Sequence, residues 1–158
     1  METRHTLCAF AITLALPVLL LLPGCGSSGP EVVPVSGQVL VDGQPLTTGI
    51  QGYVRVMPEG ARAATGNIDP QTGRFSLTTW KAGDGCVRGT HRVTVHMTEM
   101  VGPEAVSLIP ERYSDPAESG LTVTIDGPTD SLAIEISGPV QKARGTPADD
   151  MYADPERF

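Results

Sequence analysis

In six segments between Val35 and Ile136, apolar or small residues recur at every second position, and that period sets the fold class. One parity carries Val35, Gly37, Val39 and Val41; further sets are Ile50, Gly52, Val54 and Val56, then Phe75, Leu77 and Thr79. Val93, Val95 and Met97 follow, then Leu121, Val123 and Ile125, and last Leu132, Ile134 and Ile136. Successive side chains of an extended strand point to opposite faces, so each set predicts a strand with one buried and one polar face. Turn formers punctuate the sets at Asp42-Gly43, Pro58-Glu59-Gly60 and Asp126-Gly127-Pro128-Thr129-Asp130. With Gly 18 and Pro 14 in 158 residues, turns are dense enough for many short strands. No stretch beyond the amino-terminal segment keeps a 3.6-residue apolar period, and Pro103 and Pro110 leave room for at most a helical turn within Met100 to Ile109. The expected fold is all-β: a six- to seven-stranded antiparallel β-sandwich over one core.

The first 25 residues obey a different logic. Arg4 and His5 precede an apolar run from Leu7 to Leu22, which ends in Leu22-Pro23-Gly24-Cys25. A basic start, an apolar segment and small residues before a cut site form a secretory signal rather than a structural helix. Cysteine directly after the small residue resembles the lipobox of bacterial lipoproteins, which implies lipidation of Cys25 and an acylated new terminus. Two rivals stand beside this preferred reading. One is ordinary secretion, because Pro23 is not the commonest residue before the small one. The other is a retained span, although the run is shorter than the roughly 20 residues a span needs and Pro17 interrupts it. The chain is thus expected to divide into a signal peptide (1–24), a lipidated cysteine with a flexible tether (25–34), the sandwich (35–138) and a disordered polar tail (139–158).

Composition excludes some functions. Formal net charge is −7, and no basic run offers phosphates a neutralising patch, so nucleic acid is not an expected partner. Of three cysteines, Cys8 leaves with the signal and Cys25 carries lipid, so Cys86 remains alone and no intramolecular disulfide can form.

Three motifs resemble carboxypeptidase regulatory-like domains, which have a transthyretin-like (prealbumin-like) sandwich. Val-Ser-Gly-Gln-Val-Leu-Val-Asp-Gly-Gln-Pro-Leu (35–46) resembles their opening hairpin, and Val54-Arg55-Val56-Met57-Pro58 their second strand. Thr65-Gly66-Asn67-Ile68-Asp69, with Thr72-Gly73-Arg74-Phe75-Ser76-Leu77, resembles their aspartate, turn and aromatic-strand signature. Gly83-Asp84-Gly85 with 89–95, and Ile109-Pro110-Glu111-Arg112-Tyr113 with 119–122, resemble small envelope lipoproteins built on this domain. The resemblance implies a fold and a location in the cell envelope. It implies no activity, because such domains serve as accessory modules.

Candidate chemistry is sparse. Cys86 lies in a Gly-Asp-Gly-Cys loop with only Arg88 nearby as a cation, which favours a small residue in a turn over a nucleophile. Odd spacing puts His91 and His96 on opposite faces of one strand, so they cannot chelate an ion together. The aspartates at 42, 69, 84, 126 and 130 match no EF-hand spacing and read as turn formers. No metal or cofactor is therefore expected. Trp80 and Tyr53 occupy outward parity, either as cover for a sheet edge or as a ligand surface. Tyr113-Ser114-Asp115-Pro116 is echoed by Tyr152-Ala153-Asp154-Pro155 in the tail, a recurrence that Asp-Pro turns explain by chance and that docking of the tail on a second copy would explain more sharply. The expected function is a non-enzymatic, membrane-anchored envelope lipoprotein whose sandwich binds or scaffolds a protein or glycan. A carbohydrate- or small-ligand-binding module comes second, and a transthyretin-like hydrolase, for which His91 and Arg92 would have to cluster, comes last.

Overall fold

β-Branched residues dominate the alternating positions, and their side chains pack well on a pleated surface. The computed structural model describes residues 30–144, within which strands account for all regular structure except one 3-10 turn at Glu111–Ser114. In chain order they are β1 (Val32–Val33), β2 (Val35–Val41), β3 (Gln44–Pro45), β4 (Gly52–Met57), β5 (Ala64–Ile68) and β6 (Arg74–Ser76). Then come β7 (Cys86–Val87), β8 (Gly89–His96), β9 (Thr98–Val101), β10 (Glu104–Ser107), β11 (Leu121–Ile125) and β12 (Thr129–Ile136).

One sheet runs β11-β8-β4-β5, antiparallel throughout. The other is built on β2, with β12 along one edge and β6 and β3 sharing the opposite edge. Their inward faces supply a common core that includes Val39, Val54, Val56, Ile68, Leu77, Val93 and Val95, all fully buried. Burying each such side chain stabilises the fold by roughly 1.5–3 kcal/mol before chain entropy is counted. The strand that begins at β6 changes sheets. The Leu77 amide donates to the Val35 carbonyl, while Thr78 exchanges both backbone hydrogen bonds with Thr65 of β5 at 2.9 Å. The β5 edge is thereby continued by residues leading to Trp80.

The all-β expectation is met, with twelve mostly short strands in place of six or seven and four further local corrections. β12 lies parallel to β2, from Thr129 opposite Val35 to Ile136 opposite Val41, so the sheets are not antiparallel throughout. The chain crosses from the other sheet at residues 126–128 and enters beside the start of β2, where the Thr129 amide donates to the Pro34 carbonyl. The segment 98–107 is a β9–β10 hairpin rather than a helical turn, because Gly102 takes positive φ (63°) at the bend. The first helical turn comes after Pro110 instead. The ordered fold also starts before Val35: Val32 and Val33 pair with Val87 and Cys86, and Val33 is buried. At the other end residues 139–144 are structured, with the Gln141 amide on the Leu108 carbonyl and the Ala143 amide on the Thr48 carbonyl. The signal segment, Cys25 and the Tyr152 echo lie outside the described residues.

Candidate functional site

Tyr53 and Trp80, the aromatics singled out by parity, are both exposed, at 40% and 63%. They lie along one surface. Tyr53 on β4 stands opposite Asn67 on β5, and Asn67 shares its outward parity with Thr65. Thr65 bridges to Thr78, which precedes Trp80 by two residues on the same outward parity. Strand spacing and rise per residue separate the two backbone positions by about 16 Å, with polar side chains between them. They therefore form two ends of a row, not one clamp around a single ring-sized ligand. An open groove of 560 Å³ follows this edge, lined by Arg62, Thr65, Asn67, Ser76, Thr78 and Trp80 among others.

Each aromatic already has a neighbour on its ring. His96 stacks on Tyr53 with centroids 4.4 Å apart and planes 11° from parallel. Its Nε2 pairs with the Thr94 hydroxyl at 3.0 Å. Burial, reinforced by the Arg55 charge, pushes the His96 pKa below that of a free imidazole. The Arg62 guanidinium sits 5.0 Å from the centre of the Trp80 ring, within cation–π range.

The loop that presents Trp80 is tied down by Asp84. Its carboxylate accepts backbone N–H bonds from Thr79 (2.7 Å), Trp80 (3.0 Å) and Lys81 (2.9 Å). Partial desolvation acts to raise the Asp84 pKa, but these bonds outweigh it and hold the group below the usual carboxylate value. The Thr79 hydroxyl donates to the Gly85 carbonyl at 2.7 Å, and the Gly83 amide reaches the Thr78 hydroxyl at 3.0 Å. Asp69 does similar work at its own turn, where its Oδ1 accepts from the Gln71 and Thr72 amides and the Thr72 hydroxyl. Both aspartates act as turn formers. Sequence parity found Trp80 and Tyr53 but passed over Arg62, Thr65 and Asn67, although the last two share the outward parity of the strand.

The remaining polar candidates do not converge on this row. Cys86 is fully buried, and burial pushes its thiol above the ordinary pKa. Arg88 turns away from it toward the Asp126 carbonyl and Glu31. His91 is buried, with Nε2 on the Val87 carbonyl at 2.9 Å and Nδ1 without a hydrogen-bond partner among the described residues. Arg92, its neighbour, is exposed on the opposite face of β8. Among the described residues no three His, Cys, Asp or Glu side chains gather as a metal site would require, and no helix is long and apolar enough to cross a membrane. Comparison with protein-family models, curated proteins and solved structures returns no match to this chain.

Proposed function

We propose that this chain is an exported lipoprotein of a bacterial cell envelope, anchored through Cys25, with a non-catalytic sandwich for binding or scaffolding. We assign the sandwich to the transthyretin-like, carboxypeptidase regulatory-like kind. The reading is carried by Leu22-Pro23-Gly24-Cys25 placed directly after an apolar run with a basic start. The layered all-β arrangement supports it, as does an opposed placement of His91 and Arg92 that gives a hydrolase no shared cluster. Intact mass of the purified mature chain tests it. The expected species begins at Cys25 and carries acyl chains, and Cys25→Ser leaves the precursor unlipidated. A mature terminus elsewhere, or an acyl-free Cys25, rejects the anchor. A turnover on envelope substrates abolished by one point substitution rejects the non-catalytic assignment.

A second reading is favoured by the row from Tyr53 to Trp80: a glycan or another extended small ligand lying along β5. Aromatic ends with hydroxyl and amide side chains between them suit a ligand with alternating apolar faces and polar edges. Glycan binding lost on Tyr53→Ala, with the fold intact by circular dichroism, is the expected result. Binding that is absent, or indifferent to both aromatics, removes it.

A further inference from the structure

Trp80 lies beside the point where the chain enters the fold. Pro30, the first described residue, lines a cleft of 380 Å³ together with Ala61, Arg62, Thr79, Trp80 and Val87. Five residue steps separate Cys25 from Pro30, and fully extended they span at most about 18 Å. Whatever is attached to Cys25 is therefore kept close to this end of the sandwich. From this placement, and resting on the lipidated reading of Cys25, we propose that Trp80 is a second membrane contact. Its indole enters the interfacial layer of the bilayer that holds the lipid, and so fixes the orientation of the domain.

The surface chemistry fits a lipid headgroup layer. Tryptophan couples a large apolar ring to one N–H donor and favours the boundary between hydrocarbon and water. Trp80 is the sole tryptophan of the chain and is 63% exposed, so little has to rearrange before it inserts. Its loop is already ordered by the Asp84 hydrogen bonds, so insertion costs little further loop entropy. Charge favours this end over the rest of the molecule. The whole chain carries −7, which anionic lipid repels. Directly at Trp80, however, the Arg62 guanidinium lies over the ring and Lys81 follows in the loop, against the single carboxylate of Asp84. The tether supplies the remaining advantage, since a weak contact becomes effective when its local concentration reaches the millimolar range.

Having one tryptophan makes the contact directly observable. The mature protein, purified from membranes, is placed in vesicles of phosphatidylethanolamine with a minor share of phosphatidylglycerol, and its intact mass is measured in parallel. The expected result is a blue-shifted Trp80 emission that lipids brominated near the headgroups quench and aqueous iodide does not. A lipidated Cys25 with Trp80 still open to iodide and untouched by brominated lipid overturns this contact and leaves the anchor standing. An emission changed by soluble glycan fragments but not by brominated lipid also overturns it, in favour of the ligand row. A mass without acyl chains overturns contact and anchor together.

Discussion

Asp84 shows how a single side chain positions an exposed surface. Its carboxylate replaces water for three consecutive amides, much as a capping residue does at a helix start, so Trp80 stands on a closed loop. Asp84→Ala is expected to cost about 1 kcal/mol, discounted for the water around this carboxylate, and to lower Tm by about 4 °C. The folded pKa lies below the free-aspartate value of 3.8, so this stabilisation is present above that value and fades as pH falls through the folded one. Thermal melts of the two proteins should accordingly converge in acid. His96 has the same sign for a different reason. Its folded pKa is lowered, chiefly by burial, so an unfolded chain takes up the proton first as pH drops below 6.5. Stability should decline over that window, and His96→Gln should flatten the decline in denaturant titrations. Sequence reading put Asp84 in a turn and His96 on the face of its strand opposite His91, because parity and turn preference are local properties. It could not see the imidazole stacked on Tyr53 or the guanidinium beside Trp80. Those contacts depend on register between strands, which no single segment encodes.

Strand identity was legible from alternation, whereas strand partnership was not. β2, β4, β8 and β11 fall where their apolar parities lie. The parallel β2–β12 pairing escaped because it joins segments nearly a chain apart, and the β9–β10 hairpin escaped because the covered parity of β9 includes the polar Glu99 and β10 does not alternate cleanly. Thr94 also breaks the pattern. It has outward parity, yet it is buried in the row between Arg55 of β4 and the segment whose Ser114 and Ser119 hydroxyls bond the Val95 and Val93 carbonyls. Gly37 of β2 stands opposite Leu132 of β12. A Cβ there would collide with the Leu132 backbone carbonyl, just past the irregularity between Thr129 and Leu132. Backbone cannot swing aside as a side-chain end can. Gly37→Ala is therefore expected to cost about 3 kcal/mol, measured by chemical denaturation, with the loss at the β2–β12 seam visible as faster amide exchange there.

For the whole molecule, cohesion comes from the shared core and from links between its sheets. The Thr65–Thr78 bridge is one. Another is the Tyr113 hydroxyl, which accepts from the Ser137 amide at 2.9 Å and ties the 3-10 turn to the end of β12. Cys86, the only cysteine among the described residues, is sealed in the core, so reductant should leave the melting temperature unchanged. Ending the chain after Pro128 is expected to abolish cooperative unfolding by circular dichroism, because β2 then loses a whole edge partner and the core loses Ile134 and Ile136. The seam between β2 and β12 also governs timing. Synthesis delivers Val35 about a hundred residues before Ile136, and loop closure over that length is slow. The β11-β8-β4-β5 sheet can pair before β12 emerges, but the core that Ile134 and Ile136 complete has to wait for the last strand, so a growing chain closes its fold only at the end.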